Sequence, residues 1–312
     1  MAADRKQLNR YWAPQYWPVW LGLGLLRLVC MLPHSMALTI GKMLGRITYL
    51  IAGQRRRIAR RNIELCFPEL SMEEHSRLAK AHFEALGMSV IEMGLGRWAR
   101  DEQLVEQTEL EGFEYLRKAT ASGKGVILLS AHFTTLEISG RVLRLNCPPF
   151  DAVYRKDRSD FITEILRSGR ERSADATIEK RDIKEMIRSL RRGRPVWYAP
   201  DQSYNGKGAE VVEFFGIPTM HTTATSAIAR LGDAIVLPYF PQRLPDGRYR
   251  LRVLPPLDNF PSDDPVRDAK AYVRVLEEHI RSCPEQYFWV HRKFKNLPVG
   301  YPDYYADLDA SK

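Results

Sequence analysis

Between Gly123 and Asp201 the sequence switches repeatedly between two hydrophobic periods, and that alternation restricts the chain to one fold class. Gly123-Lys124-Gly125 turns into Val126-Ile127-Leu128-Leu129-Ser130-Ala131, an apolar run of strand length behind a turn signal. A helix-patterned stretch follows, then the strand-like Ala152-Val153-Tyr154 and helical patterns over 160–172 and 182–192. Pro195-Val196-Trp197-Tyr198 reads as another strand. Strands that are apolar throughout are covered on both faces, which implies an α/β fold with a mostly parallel sheet flanked by helices. Farther on, Ala234–Leu237 and Tyr249–Leu254 flank Pro245-Asp246-Gly247, a hairpin signal. Ser71-Met72-Glu73-Glu74 opens a long amphipathic helix with a capping box, and a last helix is expected over 264–281. The chain has no internal repeat, low-complexity segment or clear linker after residue 62.

The net charge of +9 over 312 residues suggests nucleic acid until it is located. Residues 1–62 hold eleven Lys/Arg and one acid, Asp4, a net of +10; the remaining 250 residues net −1. The excess charge sits beside the most apolar part of the chain, which fits a membrane surface and argues against nucleic acid. Tyr11–Leu26 and Leu28–Gly41 are free of charge, and Arg27 divides them. Sixteen helical residues reach about 24 Å, short of the roughly 30 Å hydrocarbon core, so a spanning helix has to include Arg27. Tyr11, Trp12, Tyr16, Trp17 and Trp20 crowd the start as an interfacial belt would, and Arg55–Arg61 suits anionic head groups. A span is expected in preference to a helix lying in the interface, and a buried N-terminal helix of a soluble protein is the plainer alternative. Seven basic residues over 42–61 against three over 1–10 place the later side in the cytoplasm. The expected organisation is a membrane anchor with a basic juxtamembrane segment over 1–62 and one catalytic domain over 63–312. Cys30, Cys66, Cys147 and Cys283 are far apart and form no C-x-x-C, which suits a reducing compartment and offers neither a zinc site nor a disulfide framework.

Of seven histidines, only His132 has a carboxylate five residues on, Glu137. With 38 acids in 312 positions, seven histidines give about 0.85 such pairs by chance, so the spacing carries little by itself. Position carries more. His132 follows the apolar strand directly, where loops at strand C-termini line the crevices of open α/β sheets. A His held through one ring nitrogen can take a hydroxyl proton with the other; the alternative is a capping or hydrogen-bonded structural His. No second His or Cys stands near enough for a metal triad, and neither G-x-S-x-G nor G-x-x-x-x-G-K-[ST] occurs. Without a side-chain nucleophile, a His–Glu pair suits direct attack by a substrate hydroxyl on an activated acyl group. Residues 155–194 carry thirteen Lys/Arg and eight acids, a net of +5 that suits a polyanionic substrate or, more plainly, a solvated helical face. Asp201 ends the strand 196–200, as a group ordering an Arg or a sugar hydroxyl, or as a turn cap.

These features together resemble the late acyltransferases of lipid A biosynthesis, in particular the lauroyltransferase type. The resemblance runs through Tyr16-Trp17-Pro18, Trp20–Gly24, Arg61–Pro68, His132-Phe133 to Leu136-Glu137, Val153-Tyr154-Arg155, Gly169-Arg170, Trp197–Asp201, Leu254-Pro255-Pro256 and Pro284–Tyr287. It implies a glycerolipid-acyltransferase-like α/β fold behind an N-terminal membrane helix, in the bacterial inner membrane, single-pass, with the catalytic domain facing the cytoplasm. It makes His132 the general base and Glu137 its orienting carboxylate, with Arg155, Arg170 and Asp201 as substrate contacts. It implies no cofactor. Acyl-acyl carrier protein would be the donor of a lauroyl or similar chain, a Kdo-bearing lipid A precursor (Kdo2-lipid IVA) the acceptor, and inner-membrane lipids the surroundings. The acidic carrier protein would suit the basic surface near 180–194. Asn205–Val212 departs from the lauroyltransferase pattern, which leaves acceptor and chain length open. Two other readings stand: an acyltransferase for another membrane lipid, such as a phosphatidylinositol mannoside or an aminolipid, and a non-catalytic membrane-associated lipid-binding protein.

Overall fold

The computed structural model describes residues 11–154, 161, 164–165 and 173–309. The apolar run after Gly123 is strand β2 (Gly125–Leu129), with all five residues buried. It lies in the middle of a sheet ordered β1 (Thr108–Glu111), β9 (Tyr249–Val253), β8 (Ala234–Arg243), β2, β5 (Pro195–Tyr198), β3 (Asp151–Tyr154), β4 (Ala176–Glu179). Every neighbouring pair is parallel except β8 and β9, the hairpin expected around Pro245-Asp246-Gly247. The α/β class with a mostly parallel sheet is therefore the observed one. A separate hairpin, β6 (Ala209–Phe214) and β7 (Ile217–Thr222), had no counterpart in the sequence pattern.

Successive β2 side chains point to opposite faces, so two cores form. Ile127 and Leu129 join the core built with helices α3 (Gly53–Cys66), α4 (Met72–Trp98), α9 (Ala224–Gly232) and α10 (Pro265–Ser282). Val126 and Leu128 join the other, with α5 (Asp101–Glu106), α6 (Phe113–Ala121) and α7 (Leu136–Asn146). Helix α8 (Ile183–Arg191) crosses from β4 to β5, and α11 (Ala306–Asp309) follows the sheet. The capping box at Ser71 and Glu74 forms as read, with both reciprocal bonds present at the start of α4.

The apolar segment near the N-terminus is two helices, α1 (Trp17–Val29) and α2 (His34–Ile51), separated at Cys30–Pro33. Pro33 lacks an N–H and restrains the residue before it, so the chain turns there. Thirteen residues of α1 reach only about 20 Å. Helix α2 is longer but carries Lys42 and Arg46, and Arg46 pairs with Glu84 of α4 at 2.7 Å. Among the described residues, no helix is long and apolar enough to cross a membrane. The expected N-terminal membrane helix, and the single-pass inner-membrane topology drawn from it, are corrected by this break.

Helix α2 instead lies against α4 through Ala37, Leu38, Gly41 and Gly45, its buried residues. A Cβ on Gly87 of α4 would overlap the backbone of Gly41 and Gly45, so glycine is what permits this approach. The outer faces of α1 and α2 keep Leu25, Leu28, Met36, Met43, Ile47 and Leu50 exposed. The basic stretch is partly internal: Arg55 donates to the Val290 carbonyl at 3.1 Å, and Arg61 to Tyr304 O and Asp307. Residue 62, the expected boundary, falls inside α3, which buries Ile58, Ala59, Ile63 and Cys66.

Candidate active site

Strands β2 and β5 are parallel neighbours with Leu129 opposite Tyr198, and the Ser130 N–H continues the ladder to Tyr198 O at 2.8 Å. His132 and Asp201 each stand three residues beyond those partners. Sheet register alone therefore brings them to one height past the strands' carboxyl ends, where parallel sheets open their crevices. His132 Nδ1 donates to Asp201 Oδ1 at 2.6 Å. An ionised carboxylate only accepts, so the imidazole proton sits on Nδ1. Nε2 has no hydrogen bond among the described residues, so in the neutral ring it carries the lone pair that a general base requires.

Asp201 is 1% exposed. Tyr287 OH donates to its Oδ2 at 3.0 Å, and Lys293 Nζ donates to its main-chain carbonyl. Burial pushes the Asp201 carboxyl up, but the charge and hydrogen bonds of His132, with the Lys293 cation, overcome it and hold the group at about 2. Burial draws the Lys293 ammonium down to about 8, with Asp201 opposing. The 3-10 turn Pro284–Gln286 and the two residues after it run antiparallel to the loop behind β2. Thr134 N–H donates to Gln286 O at 2.8 Å and Phe288 N–H to His132 O at 3.1 Å. The loop carrying His132 is thus fixed by a segment some 150 residues downstream.

His132 and Glu137 line one cavity of about 200 Å³, whose other walls include Leu136, Phe150, Val153 and Trp197. The structure thus brings together His132, Glu137 and Asp201, and the bond on Nδ1, expected from Glu137, is made by Asp201. Arg155 and Arg170 lie outside the described residues. The described part of the basic stretch, 173–194, does not form a single patch. Helix α8 runs back along the sheet, and Leu190 packs on Gly125, the first residue of β2. Arg188, Arg191 and Arg192 therefore sit at the opposite end of the strands from His132. Arg188 and Arg192 pair with Glu185 at 3.0 and 3.2 Å, and Arg194 with Asp151 at 2.6 Å. Lys180 and Arg181, directly after β4, are at the His132 end.

A half-buried His132, held by buried Asp201 beside a mostly apolar cavity, suits hydroxyl acylation, and the whole chain bears the comparison. The family model for bacterial lipid A biosynthesis acyltransferases matches residues 5–296. The chain belongs to that family. It is 37% identical over 294 residues to the lipid A biosynthesis lauroyltransferase of Escherichia coli (strain K12), covering 94% of this chain and 96% of that protein. It is 36% identical over 290 residues to the palmitoleoyltransferase of the same strain, with 92% and 94% covered. A lipid A biosynthesis acyltransferase of Haemophilus influenzae is 33% identical over 291 residues, with 92% and 93% covered. Two polar residues that sequence reasoning did not single out, Tyr287 and Lys293, bond to Asp201. Tyr287 stood only at the end of a family-like run, and Lys293, in His291-Arg292-Lys293-Phe294-Lys295, was passed over. The signal for Lys293 was its setting, directly before Phe294 in a segment rich in aromatics.

Proposed function

We propose that the acyltransferase moves a lauroyl or similar chain from acyl-acyl carrier protein to the 3-hydroxyl of an acyl chain on a Kdo-bearing lipid A precursor. The observation that carries this is the His132 ring, fixed at Nδ1 by buried Asp201 and free at Nε2 beside an apolar cavity. Nε2 takes the proton of the acceptor hydroxyl, and the oxygen attacks the thioester carbonyl carbon. The C–O bond forms, a tetrahedral oxyanion develops, and the C–S bond then breaks. The departing thiolate takes the proton back from Nε2, which returns the imidazole to its starting form. Asp201 stabilises the imidazolium in between, and the Glu137 carboxylate on the cavity wall supports the same charge. Arg155 and Arg170 are assigned to substrate phosphate or the oxyanion. The exposed apolar faces of α1 and α2 offer a surface for the acyl chains of a lipid acceptor without any span.

The test is transfer by the purified full chain, with defined acyl-carrier-protein thioesters and the tetra-acylated Kdo-bearing precursor, read by mass spectrometry. One added acyl group of the donor's length is expected. Absence of transfer from every donor, or unchanged lipid A acylation in a deletion strain, overturns the proposal.

A further inference from the structure

Two buried ionisable side chains beside the base have no part in the steps above. Tyr287 is packed among Phe133, Phe214 and Trp289, and its ring needs no hydroxyl for that packing. The hydroxyl nevertheless donates to Asp201 Oδ2. Lys293 is 3% exposed, with its ammonium 4.5 Å from the centre of the Phe214 ring and bonded to the Asp201 carbonyl. A carboxylate removed from water needs donors and a countercharge to stay ionised. We propose that Tyr287 and Lys293 are positioning residues that keep Asp201 ionised and turned toward His132 Nδ1, so that Nε2 stays available as base. The proposal rests on the reading of His132 as the base.

The other groups facing this centre leave Lys293 with the task. Burial pushes the Cys66 thiol of α3 and the Tyr272 phenol of α10 up, so both are neutral at pH 7. His221 of β7 and His291 are drawn down to about 4, chiefly by burial, and are neutral as well. Glu277 of α10 and Glu137 of α7 add negative charge or none, and Lys295 acts from the partly exposed surface. Among the described residues, Lys293 is the buried cation acting on Asp201. Without it, the His132–Asp201 pair holds its shared proton more tightly, and the base forms only at higher pH.

The experiment measures kcat, KM and the pH profile of kcat/KM for the full chain and for Tyr287→Phe, Lys293→Met and Lys293→Arg, in the transfer assay above. Tyr287→Phe should lower kcat about tenfold or more, the scale of one hydrogen bond to a charged group, with KM little changed. Its acid limb should move up by about one pH unit. Lys293→Met should move the limb farther in the same direction and recover activity at alkaline pH, and Lys293→Arg should return the limb toward its original position. If Lys293→Met does not fold, Tyr287→Phe decides alone. A folded Tyr287→Phe protein with the original acid limb overturns the proposal, whether its kcat is unchanged or lowered equally at every pH. Absence of transfer by the unsubstituted chain overturns instead the functional reading beneath it.

Discussion

Two buried carboxylates stand at the same end of the sheet, and their partners make them opposites. Asp201 faces His132, an imidazole, a group that can serve as acid or base. Glu92 of α4, 1% exposed, faces Arg243 at the end of β8 through two bonds of 2.6 and 2.7 Å. A guanidinium keeps its proton, so that second pair can do no acid–base work. Gln286 connects the two centres. Its side chain accepts from Arg243 N–H and donates to Arg243 O, while its own carbonyl holds the His132 loop through Thr134. Burial and charge alone therefore do not give a pair acid–base capacity; the identity of the cation does.

The largest expected effect breaks the first pair. His132→Ala should lower acyl transfer by about 10²–10⁴-fold, measured with purified folded protein, with a smaller loss of stability than Glu92→Ala because Tyr287 and Lys293 still serve Asp201. Glu92→Ala should do the reverse. It leaves Arg243 buried without its countercharge, at a cost of about 3–5 kcal/mol by denaturant unfolding, and activity of the folded fraction should persist. Full transfer by His132→Ala, or full stability in Glu92→Ala, would dissolve the contrast.

Acid sharpens it further. His82, bonded to the Glu285 carbonyl beside the Gln286 bridge, and His279 under β8 are both drawn down to about 4, chiefly by burial. Their unfolded forms titrate near 6.5. Below that pH the unfolded chain takes protons that the native one refuses, so the stability they contribute is present above about 6.5 and lost as pH falls toward 4. The urea midpoint should drop over that window, and Gln substitutions at both positions should flatten the drop. The smallest effect concerns the far end of the strands. Replacing Arg188 and Arg192 with Gln should change stability by less than about 1 kcal/mol and leave KM for the carrier-protein thioester within about twofold, because these exposed pairs lie away from His132.

Much of the sheet was legible because β2 and β5 are apolar throughout and need only burial to become strands. Edge strands were not. Thr108-Glu109-Leu110-Glu111 has no strand composition, and it is held beside β9 by pairs such as Arg250–Glu109 and Arg252–Glu111 across the register. The hydropathy of the N-terminal segment was read well for its apolar character and badly for its continuity, since Pro33 and the glycines facing α4 decide how it folds. In the site, His132 was legible from its place after β2, and Asp201 from its place after β5. That the two meet follows from register, which a sequence does not display. Tyr287 and Lys293 reach Asp201 across 86 and 92 residues, a distance no local pattern encodes.

That separation has a consequence for the order in which the molecule is made. The segment 284–294, which clasps the loop of His132 and supplies both Tyr287 and Lys293, leaves the ribosome after every strand of the sheet. A growing chain can lay down β1 to β9 with Asp201 still lacking two of its donors. On the reading of His132 as the base, its support is complete only once this last stretch closes over the strand ends, and the same stretch brings Tyr287, Trp289 and Phe294 into the core.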